Sequence, residues 1–178
     1  MQNALQITTT CIMKSLIKKT DSVFYIKALE DLNQAELVIR TVKGSISNAI
    51  EISVLGKMDA DAFNNKKRLV NKRRTLKAYW RSLFGKETDI GFFFHPEIGN
   101  VYIIGPLAPM FLYDISGKKL GALSGGTYGI LRGFGIGPKD TMNFLDSLDK
   151  GSCLLIFKGD AKQIKQLEVL IRQLGKTA

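Results

Sequence analysis

Residues 137–158, GPKDTMNFLDSLDKGSCLLIFK, are the stretch that decides the predicted fold. Proline is tolerated at the first position of a helix, so Pro138 directly after a glycine predicts a helix start, and Gly151 predicts its end. The following segment, SCLLIFK at 152–158, is continuously apolar, which is typical of a central strand buried on both faces. Cys153 lies within this run and is expected to be a buried thiol.

The beginning of the chain shows the same alternation of strand and helix. The apolar patterns predict a strand at 23–27, a helix at 31–42 that is capped by Asp31, and a second strand at 50–55. At the far end of the chain they predict a last helix at 161–174. The two outer helices share a short echo, since ELVIR at 36–40 is followed 132 positions later (168 minus 36) by EVLIR at 168–172. Two such units favour an α+β fold, a ferredoxin-like split βαβ sandwich.

The middle of the chain is predicted to be an insertion into this core. We expect an N-terminal arm at 1–21, one α/β core domain made of 22–56 together with 135–178, and an inserted arm at 57–134. The arm should contain a basic helix, an apolar hairpin and a glycine-rich helix. Its most apolar window, 101–115, contains two prolines and is shorter than the about 20 residues of a membrane span. A surface-lying or buried hairpin is therefore favoured over a transmembrane helix.

The positive charge of the chain is concentrated in residues 64–86. This segment carries nine Lys and Arg residues and no acid, so the remainder of the chain contributes +1 of the net +10 (10 minus 9). As a helix, it places Leu69, Leu76, Trp80 and Leu83 within a narrow apolar arc. The predicted partner-binding residues are Lys66, Lys67, Arg68, Lys72, Arg73, Arg74, Lys77, Trp80 and Arg81.

Three interpretations of this basic segment stay open. A cationic helix with an apolar stripe suits an acidic partner protein or an anionic membrane surface. It also suits the phosphates of a nucleic acid, which give affinity without sequence recognition. In the third interpretation, the helix is solvated and its apolar stripe packs on the protein's own core.

A ladder of glycines follows the apolar hairpin. Gly117, Gly121, Gly125 and Gly129 are spaced by four residues and predict one face of a close-packed helix. The spacing continues to residues 133 and 137, but each step of four turns a helix by about 400°, so the line drifts about 40° per step. The last two glycines are therefore expected to form the turn before Pro138. The ladder's partner is the chain's own hairpin, a second copy in a homo-oligomer, or lipid-embedded helices.

No catalytic constellation is evident in the sequence. His95, the only histidine, stands beside a proline in a predicted turn, where a structural role is favoured. The glycines at 133–137 lack the full spacing of a dinucleotide-binding fingerprint. The helix start at Pro138 could bind phosphate, but an ordinary Gly-Pro start is the favoured explanation. We predict no catalytic residue, metal site or cofactor.

Several segments together resemble a family of bacterial general-stress and low-temperature-induced proteins of unknown function. They are the strand and helix that end in ELVIR at 36–40, IEISVLGK at 50–57, PEIGNVYIIGPLAP at 96–109, the glycine-rich stretch and GFGIGPKDTMNFLDSLDKGSCLLIF at 133–157. The resemblance implies a small α/β domain split by a glycine-rich apolar middle that contacts membranes. Here that middle is shorter and more charged, and the basic segment 64–86 is not part of the family's pattern.

The sequence therefore predicts a non-enzymatic accessory or assembly protein. We expect the inserted basic and glycine-rich arm to dock onto a larger protein complex, a like subunit or a membrane surface. The alternative is a nucleic-acid-associated protein that uses residues 64–86 for phosphate contacts. Two cysteines and no evident signal peptide favour a cytoplasmic setting, with the inner face of the membrane as a further place of contact.

Overall fold

The computed structural model describes residues 22–45, 50–58 and 66–177. The described chain is an α+β fold built on a five-stranded antiparallel sheet with the strand order β1-β7-β2-β4-β3. In chain order the elements are β1 (Val23–Leu29), α1 (Leu32–Ser45), β2 (Glu51–Lys57), α2 (Lys66–Phe84), β3 (Ile90–His95), β4 (Gly99–Ile104), α3 (Ala108–Phe111), β5 (Asp114–Ile115), β6 (Lys118–Lys119), a 3-10 turn (Leu120–Ala122), α4 (Gly126–Gly133), α5 (Pro138–Asp149), β7 (Cys153–Gly159) and α6 (Ala161–Thr177).

Strand β7 is the centre of the hydrophobic core. Successive side chains of a strand point to opposite faces of the sheet. Accordingly, Leu154 and Ile156 join the core on one face, while Leu155 and Phe157 join the core on the other. The continuous apolar run thus forms a strand that is covered on both sides, as the sequence predicts.

The first βαβ unit encloses β7. Because β1 and β2 are both antiparallel to β7 and lie on either side of it, they run in the same direction. Helix α1 connects them, and its predicted cap is confirmed, because Asp31 Oδ1 accepts the N–H of Asn33 at 2.9 Å. The ferredoxin-like topology as a whole is not confirmed, although the α+β class is.

Helices cover both faces of the sheet. The core on one face combines residues of α1, α2 and α6 with residues of β2, β4 and β7. The core on the opposite face contains residues of α3, α4 and α5 together with the other side of the same strands. The protein therefore has a helix–sheet–helix arrangement, and α2 belongs to the first helical layer.

The predicted insertion contributes directly to the sheet. The apolar hairpin forms as β3 and β4, and β4 pairs with β2 from Val54↔Ile104 to Lys57↔Val101. The described residues of this segment, 57–58 and 66–134, thus share the sheet and both core clusters with the rest of the described chain. The proposed domain boundaries stay predictions, and the N-terminal arm at 1–21 lies outside the described residues.

The single glycine-rich helix expected over Gly117–Gly129 does not form. Gly117 lies in the turn between β5 and β6 with φ of +83°, and Gly125 precedes α4 with φ of +74°. Helical residues need φ near −63°, so each of these glycines interrupts a helix. The spacing by four misled the prediction because glycine favours turns as well as close helix packing.

Only one of the four predicted close-packing glycines is tightly packed. A Cβ atom on Gly121 would lie 2.8 Å from the ring of Phe93. The corresponding positions at Gly117, Gly125 and Gly129 meet no atom within 4 Å. Within the described chain the ladder is therefore not a close-packing seam, and its one tight contact is that of Gly121 with Phe93 of β3.

Candidate functional site

The apolar stripe of α2 is part of the protein core. Leu69 and Leu76 are half-buried against it, and Leu83 is buried. Trp80 is 0% exposed, and its ring centre lies 5.8 Å from that of Phe84 and 6.2 Å from that of Tyr102. The assignment of Trp80 to a partner-binding surface is therefore wrong, because the stripe that would face a partner is already covered by the sheet.

Five cations of α2 share one flank of the helix. At about 100° per residue they fall within an arc of about 120°, on the side toward β3. We call this set the basic face; it consists of Lys67, Arg73, Arg74, Lys77 and Arg81. Val70 lies in the same arc and is 58% exposed. The structure thus brings together five of the nine residues that the sequence predicts as the site.

The basic face is anchored to the sheet through Phe92 of β3. The guanidinium carbon of Arg73 lies 5.0 Å from the ring centre of Phe92, and Lys77 Nζ lies 5.6 Å from it. Cation–π contacts at partly exposed sites contribute about 0.5–1 kcal/mol each. Within the described residues, Arg73 Nε is buried without a hydrogen-bond partner. The two cations are held over the strand rather than extended into solvent.

Three cations of the basic face have no acidic partner among the described residues. Helix α2 contains no acidic residue. In the described part of the chain, Arg74, Lys77 and Arg81 take part in no ion pair. Arg74 and Arg81 are exposed, and their positive potential is therefore available to an anionic group.

The opposite flank of α2 is joined to α1. Tyr79 Oη donates to Glu36 Oε2 at 2.6 Å, and Lys43 Nζ donates to the carbonyl of Leu83 at 2.8 Å. The hydrogen bond from Tyr79, followed by that from Arg40, lowers the pKa of Glu36. Burial, followed by this same bond, raises the pKa of Tyr79 to about 12.

Two of the predicted site cations lie apart from the basic face. Arg68 and Lys72 fall on the flank of α2 that faces away from β3, as the helical rotation requires. Lys72 lines a small cavity with Glu30, Met58 and Cys153. The side chain of Lys66 lies outside the described residues.

A larger groove lies beside the C-terminal ends of α1 and α2. It has a volume of about 870 Å³, and its charged lining residues include Lys43 and Glu51. Burial, followed by the charge of Arg40, lowers the pKa of Lys43, but this lysine also caps the end of α2. Glu51 pairs with Lys158 at 3.0 Å. Both groups therefore have structural partners within the fold.

The remaining candidates for chemistry are buried. Burial raises the pKa of the Cys153 thiol to about 11, so it is protonated at neutral pH and a poor nucleophile. His95 is 2% exposed, and its Nδ1 accepts the N–H groups of Glu97 and Ile98 at 3.3 Å each. The histidine thus holds the loop between β3 and β4. In the described ranges, no three His, Cys, Asp or Glu residues are grouped to hold a metal ion.

Comparisons with known proteins give no assignment: no family model, curated protein or solved structure matches this chain. The resemblance to general-stress proteins therefore stays a prediction. Among the described helices, none has both the length and the apolar character needed to cross a bilayer.

The sequence did not single out the aromatic residues of β3 beside the basic face. Phe92 lies under Arg73 and Lys77, and Phe94 is 59% exposed on the same side of the strand. The alternation in IGFFFH at 90–95 carries the signal, because residues 90, 92 and 94 must share a face. This alternation does not indicate that α2 packs over the face shared by residues 90, 92 and 94.

Proposed function

We propose that this protein is a non-enzymatic accessory protein that docks onto an acidic partner protein through the basic face of α2. The observation that carries the proposal is the arc of five cations, in which Arg74, Lys77 and Arg81 have no acidic partner in the described chain. An uncompensated patch of one sign attracts and orients a partner of the opposite sign.

An acidic protein is favoured over a membrane surface. A helix that lies on a bilayer needs an exposed apolar face beside its cations. The apolar side of α2 is packed on the sheet through Trp80 and Leu83, which leaves Val70 as its exposed large hydrophobic side chain. Docking onto a second copy through the glycine ladder also loses its basis, because Gly117 and Gly125 adopt positive φ and the four glycines do not form one helix face.

Nucleic acid is the second candidate. Single-stranded nucleic acids bind to surfaces that combine cations with exposed aromatic rings, on which the bases stack. Phe94, exposed on the same side of β3 as the basic face, is the observation that favours this candidate. Phe92 is less suitable, because Arg73 and Lys77 already cover its ring.

Charge reversal tests the docking proposal. The double variant Arg74→Glu/Arg81→Glu changes the net charge from +10 to +6, since each replacement removes one positive charge and adds one negative charge. The matched control is Lys162→Glu/Lys165→Glu on α6, which changes the same number of exposed charges. Any effect of overall charge is then common to both variants.

The probes are a fluorescent acidic peptide of alternating Glu and Val, a single-stranded oligothymidine and vesicles containing anionic lipid. We expect fluorescence anisotropy to show salt-dependent binding of the peptide that the α2 variant weakens about tenfold or more and the α6 variant leaves largely unchanged. Equal loss in both variants, or absence of peptide binding, refutes the proposal. Tighter binding of the oligothymidine that is lost in the α2 variant supports the second candidate instead.

We also infer that the sheet is a ferredoxin-like unit into which further elements are inserted. Support comes from the direction of β1 and β2, which are parallel to each other with β7 between them, the arrangement of a split βαβ motif. In this interpretation α2, β3 and β4 extend the unit beyond β2. The inserted part would then carry the docking surface.

A further inference from the structure

The basic face lies beside an open edge of the main sheet. Among the described strands, β3 pairs only with β4, and its register runs from Ile90↔Ile104 to His95↔Gly99. The outer edge of β3 therefore presents N–H and C=O groups that no described strand pairs. Such an edge is a ready template for an additional strand.

The two faces of β3 differ in how they are covered. Gly91, Phe93 and His95 point to the face packed by the 3-10 turn and its neighbours, and all three are buried. On the face toward α2, Ile90 and Phe92 are half-buried and Phe94 is exposed. The surface beside the basic face is thus partly apolar and incompletely covered.

We propose that an extended acidic segment of the partner protein binds by adding a sixth strand to the edge of β3, with alternate carboxylates facing the basic face. This inference rests on the proposed function and specifies how the partner is bound. A strand added to a sheet lies about 4.8 Å from its neighbour and points every second side chain to the same face. Carboxylates at those positions would lie on the side of the sheet occupied by Arg74, Lys77 and Arg81.

Charge argues for an acidic occupant rather than a second copy of this chain. Antiparallel pairing of two β3 edges would place the two α2 helices on the same side of the joined sheet. The two basic faces would then be neighbours in a pair of chains that each carry +10. Like charges close together oppose such pairing, whereas an acidic strand neutralises the surface.

Backbone methylation of the peptide tests strand addition separately from charge. The parent probe is an alternating Glu-Val peptide of about eight residues, enough to span the six residues of β3. Two derivatives carry N-methyl groups on every second residue, one on the Glu positions and one on the Val positions. All three peptides have the same charge and side chains, but each derivative lacks one of the two sets of backbone N–H donors.

We expect one derivative to bind about tenfold or more weakly than the parent, because two or three interstrand hydrogen bonds are lost. The parent should also slow amide hydrogen exchange in residues 90–95. Replacement of exposed Phe94 by Glu should weaken binding of the parent peptide. Tyr113→Glu, at an exposed ring outside β3, should leave its binding unchanged.

The outcomes separate the two proposals. If both derivatives bind as tightly as the parent and exchange in 90–95 is unchanged, strand addition is refuted, while docking through the basic face stands. If no peptide binds, both proposals fail. If oligothymidine displaces the parent peptide and protects the same residues more strongly, the acidic segment is not the preferred occupant and the inference is overturned.

Discussion

Replacing Trp80 by Ala should destabilise the protein strongly. The side chain is 0% exposed and lies between the rings of Tyr79, Phe84 and Tyr102, at centre distances of 5.1, 5.8 and 6.2 Å. Truncation of a buried Trp costs about 3–5 kcal/mol in the free energy of unfolding. For a domain of this size, that corresponds to a fall in Tm of about 6–20 °C.

Trp80→Phe should lower the free energy of unfolding by less than about 2 kcal/mol, because it also removes an unfavourable group. In the described residues, Trp80 Nε1 is buried without a hydrogen-bond partner, and a buried unpaired donor is itself unfavourable. Phe keeps part of the ring packing and removes that donor. The order of stability should be wild type, then Trp80→Phe, then Trp80→Ala.

Urea unfolding followed by circular dichroism measures these differences, because Trp80 is the only tryptophan and its fluorescence is lost in the variants. The control is Val70→Ala on the same helix, where the side chain is 58% exposed and the expected change is within about 0.5 kcal/mol. In the wild type, Trp80 emission should be blue-shifted and resistant to acrylamide. A loss below about 1 kcal/mol in Trp80→Ala, together with ready quenching in the wild type, would refute the core assignment of the α2 stripe.

Three further predictions concern single positions. Gly121→Ala should lower the free energy of unfolding by about 1–3 kcal/mol in chemical denaturation, because the new Cβ would press on the packed ring of Phe93. Gly129→Ala, in open space on α4, should be neutral or stabilise the protein by up to about 1 kcal/mol. Equal effects of the two substitutions would contradict the packing of Gly121. Burial lowers the pKa of His95, so the unfolded chain binds more protons than the folded one, and stability should fall as the pH drops below about 6.5. His95→Asn should make the Tm depend less on pH in thermal melts at pH 5–8. An unchanged pH dependence of the Tm would contradict the burial of His95 as its source. In a Cys11→Ser background, Cys153 should resist alkylation by iodoacetamide at pH 8 until the protein is unfolded, because burial raises the pKa of its thiol to about 11. Mass spectrometry measures the alkylated fraction. Rapid alkylation of the native protein would contradict the burial of Cys153.

Elements with strong local signals were predicted well. The run at 152–158 is apolar throughout, and it forms the central strand β7 between two helical layers. Asp31 and Pro138 mark the starts of α1 and α5, because the capping hydrogen bond and the fixed φ of proline act locally. The charge pattern of residues 64–86 similarly predicted a basic helix, which forms as α2.

The glycine ladder shows where local reasoning fails. Spacing by four is compatible with one face of a helix, but glycine is also the residue that most readily adopts positive φ. Gly117 and Gly125 take that second option, and only Gly121 is placed against a ring. The choice between these roles depends on the neighbouring chain, which the spacing does not encode.

The sequence by itself determined the α+β class, the central strand and the concentration of positive charge in one helix. Tertiary structure decided which side of that helix is buried: packing on the sheet turned Trp80 into a core residue and directed Arg74 and Arg81 outward. It also placed the basic face beside the open edge of β3. The physical reason is that helical periodicity fixes which residues share a flank, whereas what each flank meets depends on contacts between segments distant in the chain.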